Sequence, residues 1–245
     1  MKNPIITTSW DDGHPLDSKL SDLLLKNKIP GTFYIPLTNQ ENPVMENKSI
    51  KDLSQNFEIG GHTLNHKVLT LLDDDEINYE ILKGKEELEK ICGEVNSFAY
   101  PRGQYDKKII KIVKDVGFKG ARTAELLHTK INNTFEYHPT IQAVDRNILS
   151  KGKQFLKSDS SSLKIFLLRK RLFQNNWYEL AKSTLNYVLE NGGIWHLWGH
   201  SWEIENLNDW NKLDSILDYA YIQGKNYGAD FLTNAEILEE FNPNN

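Results

Sequence analysis

A single cysteine, Cys92, stands in 245 residues, which excludes an internal disulfide and any cysteine-based zinc cluster. Its i, i+4 relation to Leu88 reads as a packed core thiol. No run of about 18 apolar residues occurs, and the opening MKNPIITTSW lacks a charged segment followed by a long apolar one. Neither a transmembrane segment nor a signal peptide is therefore expected, and the expected compartment is the cytoplasm. Positive charge is not in excess: 29 basic against 34 acidic residues leave a formal −5. With no nucleic-acid motif either, this argues against a DNA or RNA binder. A glycine-rich phosphate fingerprint is missing after the first strand-like run, which argues against a nucleotide-binding fold, and no internal repeat is found. What is present is a core: 39% hydrophobic residues, with ten Phe, ten Tyr and six Trp, at a length that suits one α/β barrel domain spanning 1–245.

Short β-like runs alternate with helical ones. PIITTSW, GTFYIP, FEIGGH, NSFAYP, FKGARTA, GGIWHLWGH and ADFL read as strands. Between them, Leu16, Leu20, Leu23 and Leu24 form a helical stripe, and Ile77, Ile81, Leu88 and Ile91 form another on the charged segment Asp73 to Cys92. Further helices are expected in DKKIIKIVKDVG, from about Trp177 to Glu190, through Trp210 to Ala220, and from Thr233 or Asn234 onward. Strands separated by helices pair in parallel through right-handed crossovers, so the expected fold is an irregular (β/α) barrel of about seven parallel strands with surrounding helices. One stretch breaks the rhythm. Residues 146–171 carry eight basic side chains against the single acid Asp159, with SDSSS as an expected loop. A basic helical excursion at about 146–175 is expected, either a solvated face or a contact for an anionic glycan or lipid phosphate.

Two short stretches carry chemistry. TTSWDDG places Asp11 and Asp12 side by side at the end of a strand. Alone, Asp-Gly is ordinary turn punctuation. GGHTLNH places His62 and His66 four residues apart, so that on a helical turn both rings share a face. Both stretches fall at strand C-termini, the end where parallel β/α folds assemble their sites. Two imidazoles and one carboxylate make a three-ligand site for a divalent metal, Zn2+ before other divalent ions, with a position left open. One aspartate of the pair would ligate, while the other would take a proton from water.

In order, TTSWDDG, HTLNH, FAYPRG and IWHLWGH resemble the motifs of the polysaccharide deacetylases of NodB-homology type, carbohydrate esterases of family 4 kind that remove acetyl groups from glycans. The resemblance implies Asp11 as general base and Asp12, His62 and His66 as metal ligands, with Thr63 capping or orienting the turn between the histidines. It places Tyr100 and Arg102 by the substrate and the oxyanion, Arg102 through its backbone N–H. The family's third motif starts near an arginine that steers the base, and here Ala99 stands instead. Arg122, ending the next strand-like run, is the candidate replacement, with a surface or packing arginine as the other reading. The last motif supplies the general acid. His200, at the strand end, is favoured over His196, which would sit deeper, and Asp145 is the nearest candidate for the family's aspartate that tunes this histidine. Trp198 and Trp202 are candidates for a sugar platform or for core packing, His14 for the rim, and His128 and His138 for structural or exposed positions.

The resulting expectation is a hydrolase acting on C–N bonds other than peptide bonds. It would remove acetyl groups from an N-acetylated, or O-acetylated, sugar or polysaccharide by metal-activated water. Two alternatives are a cyclic amide hydrolase on the same scaffold and a non-catalytic glycan-binding domain. The expected partner is an acetylated carbohydrate.

Overall fold

The computed structural model describes residues 3–158, 160–169 and 176–241. The chain begins with β1 (Ile5–Asp11), α1 (Asp17–Asn27), β2 (Thr32–Ile35), α2 (Asn47–Leu53) and β3 (Glu58–Gly61). It continues through α3 (Asp74–Cys92), β4 (Ser97–Ala99), α4 (Lys107–Asp115), β5 (Gly120–Arg122) and β6 (Ile141–Gln142). After α5 (Ile148–Lys157), α6 (Ser161–Arg169) and α7 (Trp177–Asn191) come β7 (Ile194–Gly199), α8 (Ser201–Asn206), α9 (Trp210–Tyr227), β8 (Asp230–Phe231) and α10 (Asn234–Glu240).

The sheet runs β5-β4-β3-β2-β1-β7-β6, and every pairing is parallel. These seven strands curl into the expected irregular barrel. The two-residue β8 is the strand expected in ADFL, paired to Ile5 and Ile6 at the start of β1, whereas the equally short β6 is an addition to the strands read from the sequence. The segment after β5 draws the two edges together. Tyr137 exchanges backbone hydrogen bonds with Ala121 and Thr123, then Thr140 donates to His196 O at 3.0 Å and Ala143 to Trp198 O at 2.8 Å. β1 is buried along its whole length, as a central parallel strand covered on both faces must be. Trp10, Phe33, Phe98, Trp195 and Leu197 belong to one continuous core.

Local chemistry explains the helix ends. Asp73 and Glu76 form a capping box at the start of α3, and Thr233 and Glu236 form another before α10; each satisfies backbone donors that the first turn leaves free. Cys92 is half-buried at the end of α3, its thiol bonded to Leu88 O, and burial pushes its pKa up to about 11.

The basic stretch differs in detail from its expected form. Ser161 and Ser162 open α6 instead of extending a loop, while Asp159 and residues 170–175 lie outside the described residues. α5 and α6 leave Leu149, Leu156, Ile165 and Leu168 exposed. Among the described residues, no helix is long and apolar enough to cross a membrane.

Candidate active site

Register places the motifs at one level. Asp11 pairs with Tyr34 and Trp10 with Gly199 across β1's two neighbours, while Tyr34 pairs with Gly60 and Ile35 with Gly61. The C-terminal ends of β1, β3 and β7 therefore deliver Asp11, His62 and His200 to one rim. A cleft of about 470 Å³ opens there, lined by Asp11, Asp12, His62, His66 and His200 among others.

Adjacent residues on a strand face opposite ways, yet both aspartates line this cleft. The strand ends at Asp11, and Asp12 adopts φ 80°, a left-handed conformation that redirects its side chain. Asp12 Oδ1 then lies 3.2 Å from His66 Nε2 and 3.9 Å from His62 Nε2, and the two imidazole centroids are 4.9 Å apart. Donors around a tetrahedral Zn2+ sit about 3.3 Å from one another, so small adjustments would close this set on an ion. Three observations fit a metal. Asp12 Oδ1 is buried without a hydrogen-bond partner among the described residues. Trp202 Nε1 donates to the other oxygen at 2.9 Å. His62 Nδ1–H donates to Ala99 O at 2.8 Å, fixing the tautomer that leaves Nε2 as a ligand. Burial, then the neighbouring His66, holds the His62 pKa well below the usual histidine value, so the ring stays neutral and able to coordinate.

The histidine pair does not sit on a helical turn as its spacing implies. Residues 62–66 form an irregular loop with positive φ at Thr63 and His66, because α3 grips it from outside. Glu80 accepts from Asn65 N at 2.8 Å and from Asn65 Nδ2 at 2.7 Å, and its carbonyl accepts from Leu64 N at 2.8 Å. At Gly84 a Cβ would stand 2.7 Å from the Thr63 carbonyl carbon, so only glycine lets the helix come this close. Thr63 Oγ1 makes no hydrogen bond among the described residues, so its side chain does not cap the loop. Glu80 and Gly84 escaped the sequence reading, since nothing in a charged helix marks one glutamate as facing inward.

Asp11 meets Arg122. Arg122 Nη2 forms an ion pair with Asp11 Oδ2, and Nη1 donates to Thr123 O at 2.9 Å. The guanidinium lies 4.6 Å from the Trp198 ring centroid and 5.2 Å from that of Tyr34. Such a buried arginine has one position. Asp11 Oδ1 has no partner among the described residues.

His200 Nδ1–H donates to Glu203 Oε2 at 2.6 Å. Burial lowers its pKa, but the Glu203 hydrogen bond and the Asp11 and Asp12 charges outweigh that and leave it raised. Asp145 does not tune this ring: its carboxylate accepts from Trp177 N at 2.6 Å, and Glu203, one helical turn beyond His200, has the place. His196 lies inside the barrel, fully buried, with Nε2 2.7 Å from Ser9 Oγ; burial, then Arg122, drives its pKa well down.

Tyr100 is a correction. Its hydroxyl donates to Phe135 O at 3.0 Å, its ring stacks on Tyr105 and its N–H donates to Arg122 O, so neither its side chain nor its backbone faces the cleft. The next peptide turns back: Arg102, at φ 55°, lines the cleft and pairs with Glu41. Trp198 is buried beside the cleft, Trp202 is partly exposed over His200, and His14 Nδ1 accepts from Leu16 N at the rim. His128 is buried and His138 partly so, with ring centroids 4.3 Å apart.

Asp17 is fully buried in the first turn of α1. Burial pushes its pKa up to about 8, with the Ser201 hydroxyl offsetting part of the rise. The folded state thus holds a proton that the unfolded chain, titrating near 3.8, gives up. That contribution is complete below about pH 4 and is lost as pH rises toward 8. Between those limits Asp17→Asn should lose less thermal stability than the wild type; parallel Tm profiles for the two would contradict this.

The family model described as polysaccharide deacetylase matches residues 1–121. Peptidoglycan-N-acetylglucosamine deacetylase of Bacillus cereus is 31% identical over 118 residues, 47% of this chain and 54% of that protein. Peptidoglycan-N-acetylmuramic acid deacetylase PdaA of Bacillus subtilis is 27% identical over 137 residues, 54% of this chain and 51% of that one. The matches thus span about half the length of these curated relatives. The solved structure of Bacillus subtilis PdaA, a family 4 carbohydrate esterase, shares the fold with a TM-score of 0.59 at 20% identity, over 97% of this chain and 82% of that one. Residues 1–121 of this chain match that family model, and the four motifs gather at one end of the expected barrel: this first half of the chain is similar to the polysaccharide deacetylases in sequence and in the placing of its motifs.

Proposed function

We propose that the protein is a metal-dependent deacetylase of an N-acetylated glycan, the sugar units of peptidoglycan being the first candidates because both curated relatives carry that activity in their names. One observation carries the reading: a carboxylate oxygen of Asp11 without a hydrogen-bond partner among the described residues, a three-donor Asp-His-His set and a partly buried, carboxylate-held histidine share one cleft. Asp12, His62 and His66 would hold a divalent cation, Zn2+ by the nature of the donors. Bound there, such an ion supplies Lewis acidity to the acetyl carbonyl and makes a water easier to deprotonate. Asp11, held through Oδ2 by Arg122, accepts that proton at Oδ1. His200, whose Nδ1 is engaged by Glu203, delivers a proton from Nε2 to the departing amine. Arg102, through its backbone N–H, assists the carbonyl oxygen as negative charge develops. Trp202 holds Asp12 and offers its exposed edge to a sugar ring. Among the described residues of the basic stretch, Arg146 lines the cleft, where it would meet an anionic substituent of the glycan.

Release of free acetate from N-acetylated and O-acetylated glycans, with defined metals restored to chelator-stripped protein, tests the reading. Ring opening of a cyclic amide without acetate release would favour that alternative, and glycan binding without turnover a non-catalytic domain. His200→Ala should lose most turnover of an unactivated N-acetyl amide while sparing an activated aryl acetate, whose leaving group needs little protonation. His196→Ala should lower stability without that leaving-group dependence. The reverse pattern would move the acid to His196.

A further inference from the structure

We infer that the protein carries a second divalent-cation site, structural in character, formed by Glu125, His128 and His138. Donor atoms of these three residues lie within 4.8 Å of one another. None of the three lines the cleft described above.

The arrangement resembles the first in its ring pair and its donor types. The rings of His128 and His138 are 4.3 Å apart at 41°, against 4.9 Å and 49° for His62 and His66. His138 Nδ1 is held 2.6 Å from Thr123 Oγ1, as His62 Nδ1 is held by a carbonyl, which leaves Nε2 as the donor atom. A carboxylate completes each set. Two imidazoles and one carboxylate select a borderline divalent ion of the Zn2+ class over Mg2+ or Ca2+, which prefer oxygen donors.

The backbone holds these residues in place before any ion arrives. Thr123 N donates to Tyr137 O at 2.9 Å, which sets residue 138 beside the chain leading to Glu125. Leu127 N donates to Thr140 O at 3.0 Å, and Thr140 Oγ1 donates to His128 O at 2.8 Å. Two segments distant in sequence from the first motif are thereby stitched together on both sides of the donor set. Lys157 Nζ, 2.9 Å from Glu125 Oε1, competes with a cation, but its side chain is 57% exposed and can return to water.

Chelator-stripped protein dialysed against Zn2+ and measured for bound metal by plasma emission tests the site. About two equivalents are expected in the wild type and about one in His138→Ala. His66→Ala should also keep about one, with a Zn2+-dependent rise in Tm that disappears when His138→Ala is added. Glu125→Gln, nearly isosteric at a partly exposed position, should weaken the second equivalent at least about tenfold without unfolding the chain. The inference is overturned if His66→Ala binds no stoichiometric Zn2+, or if its Zn2+-dependent Tm rise is the same with and without His138. Failure of the first site instead gives His66→Ala the wild-type metal content while His138→Ala still loses one equivalent, so the two readings fail separately.

Discussion

Asp11→Asn should keep its metal and lose roughly two to four orders of magnitude in turnover, the range expected when a positioned general base is removed. The substitution preserves shape, so the donors on Asp12, His62 and His66 are untouched. What changes is Oδ1, the buried oxygen without a partner among the described residues, which in asparagine no longer accepts a proton at neutral pH. Arg122 makes the experiment more demanding. Its ion pair with Asp11 is buried on both sides, and removing one charge of such a pair costs about 3–5 kcal/mol. Part of that is recovered because the amide oxygen still accepts from Nη2. A lower Tm is therefore expected beside the rate loss, and turnover must be normalised to folded, metal-loaded protein. Unchanged turnover at full metal content would place the base elsewhere. Arg122→Lys should reproduce much of the loss, because an ammonium group cannot reach Asp11 and Thr123 O together or stack between Trp198 and Tyr34.

His66→Ala should lose the metal of the cleft and activity together. Mutation of a group that merely orients a ligand weakens a metal site about 10–100-fold. Loss of a ligand itself should reach at least the upper end of that range, leaving Asp12 and His62 as a two-donor remnant. Equilibrium dialysis gives the affinity, and activity should return only in part at high added metal. Retained metal in His66→Ala, in a background that also lacks His138, would sink the ligand assignment. Binding should also weaken in acid, because imidazole ligates only when unprotonated. His62, with its pKa held down by burial, remains a donor as pH falls.

The origin of each feature follows from how far apart its parts lie in the chain. The alternation of apolar runs fixes parallel strands and surrounding helices, because burial on both faces and 3.6-residue periodicity are local properties. Strand ends are local too, which is why Asp11, His62, Arg122 and His200 were legible as rim residues. The chain order of the motifs carried the family resemblance. Beyond that, locality fails. The i, i+4 spacing of His62 and His66 implied a helical turn, but α3 holds the loop with left-handed residues through Glu80 and the missing Cβ of Gly84. Asp145, near His200 by neither sequence nor contact, gave way to Glu203, which a single turn of α8 brings within 2.6 Å. Tyr100 read as a cleft residue by its motif, yet the curl of β4 toward β5 spends its N–H on Arg122 O and buries its ring.

By itself, then, the sequence determined the (β/α) architecture, the family resemblance and the donor types at the strand ends, since each depends on local runs of residues and their order along the chain. Only the tertiary structure decided which oxygen of Asp11 is held and which is left bare. The same holds for the partner of the His200 ring, and for the meeting of Glu125, His128 and His138 across two loops. Those outcomes depend on the closure of the barrel, where backbone hydrogen bonds between distant segments set side-chain neighbours to within a few tenths of an ångström, and no local propensity encodes that closure.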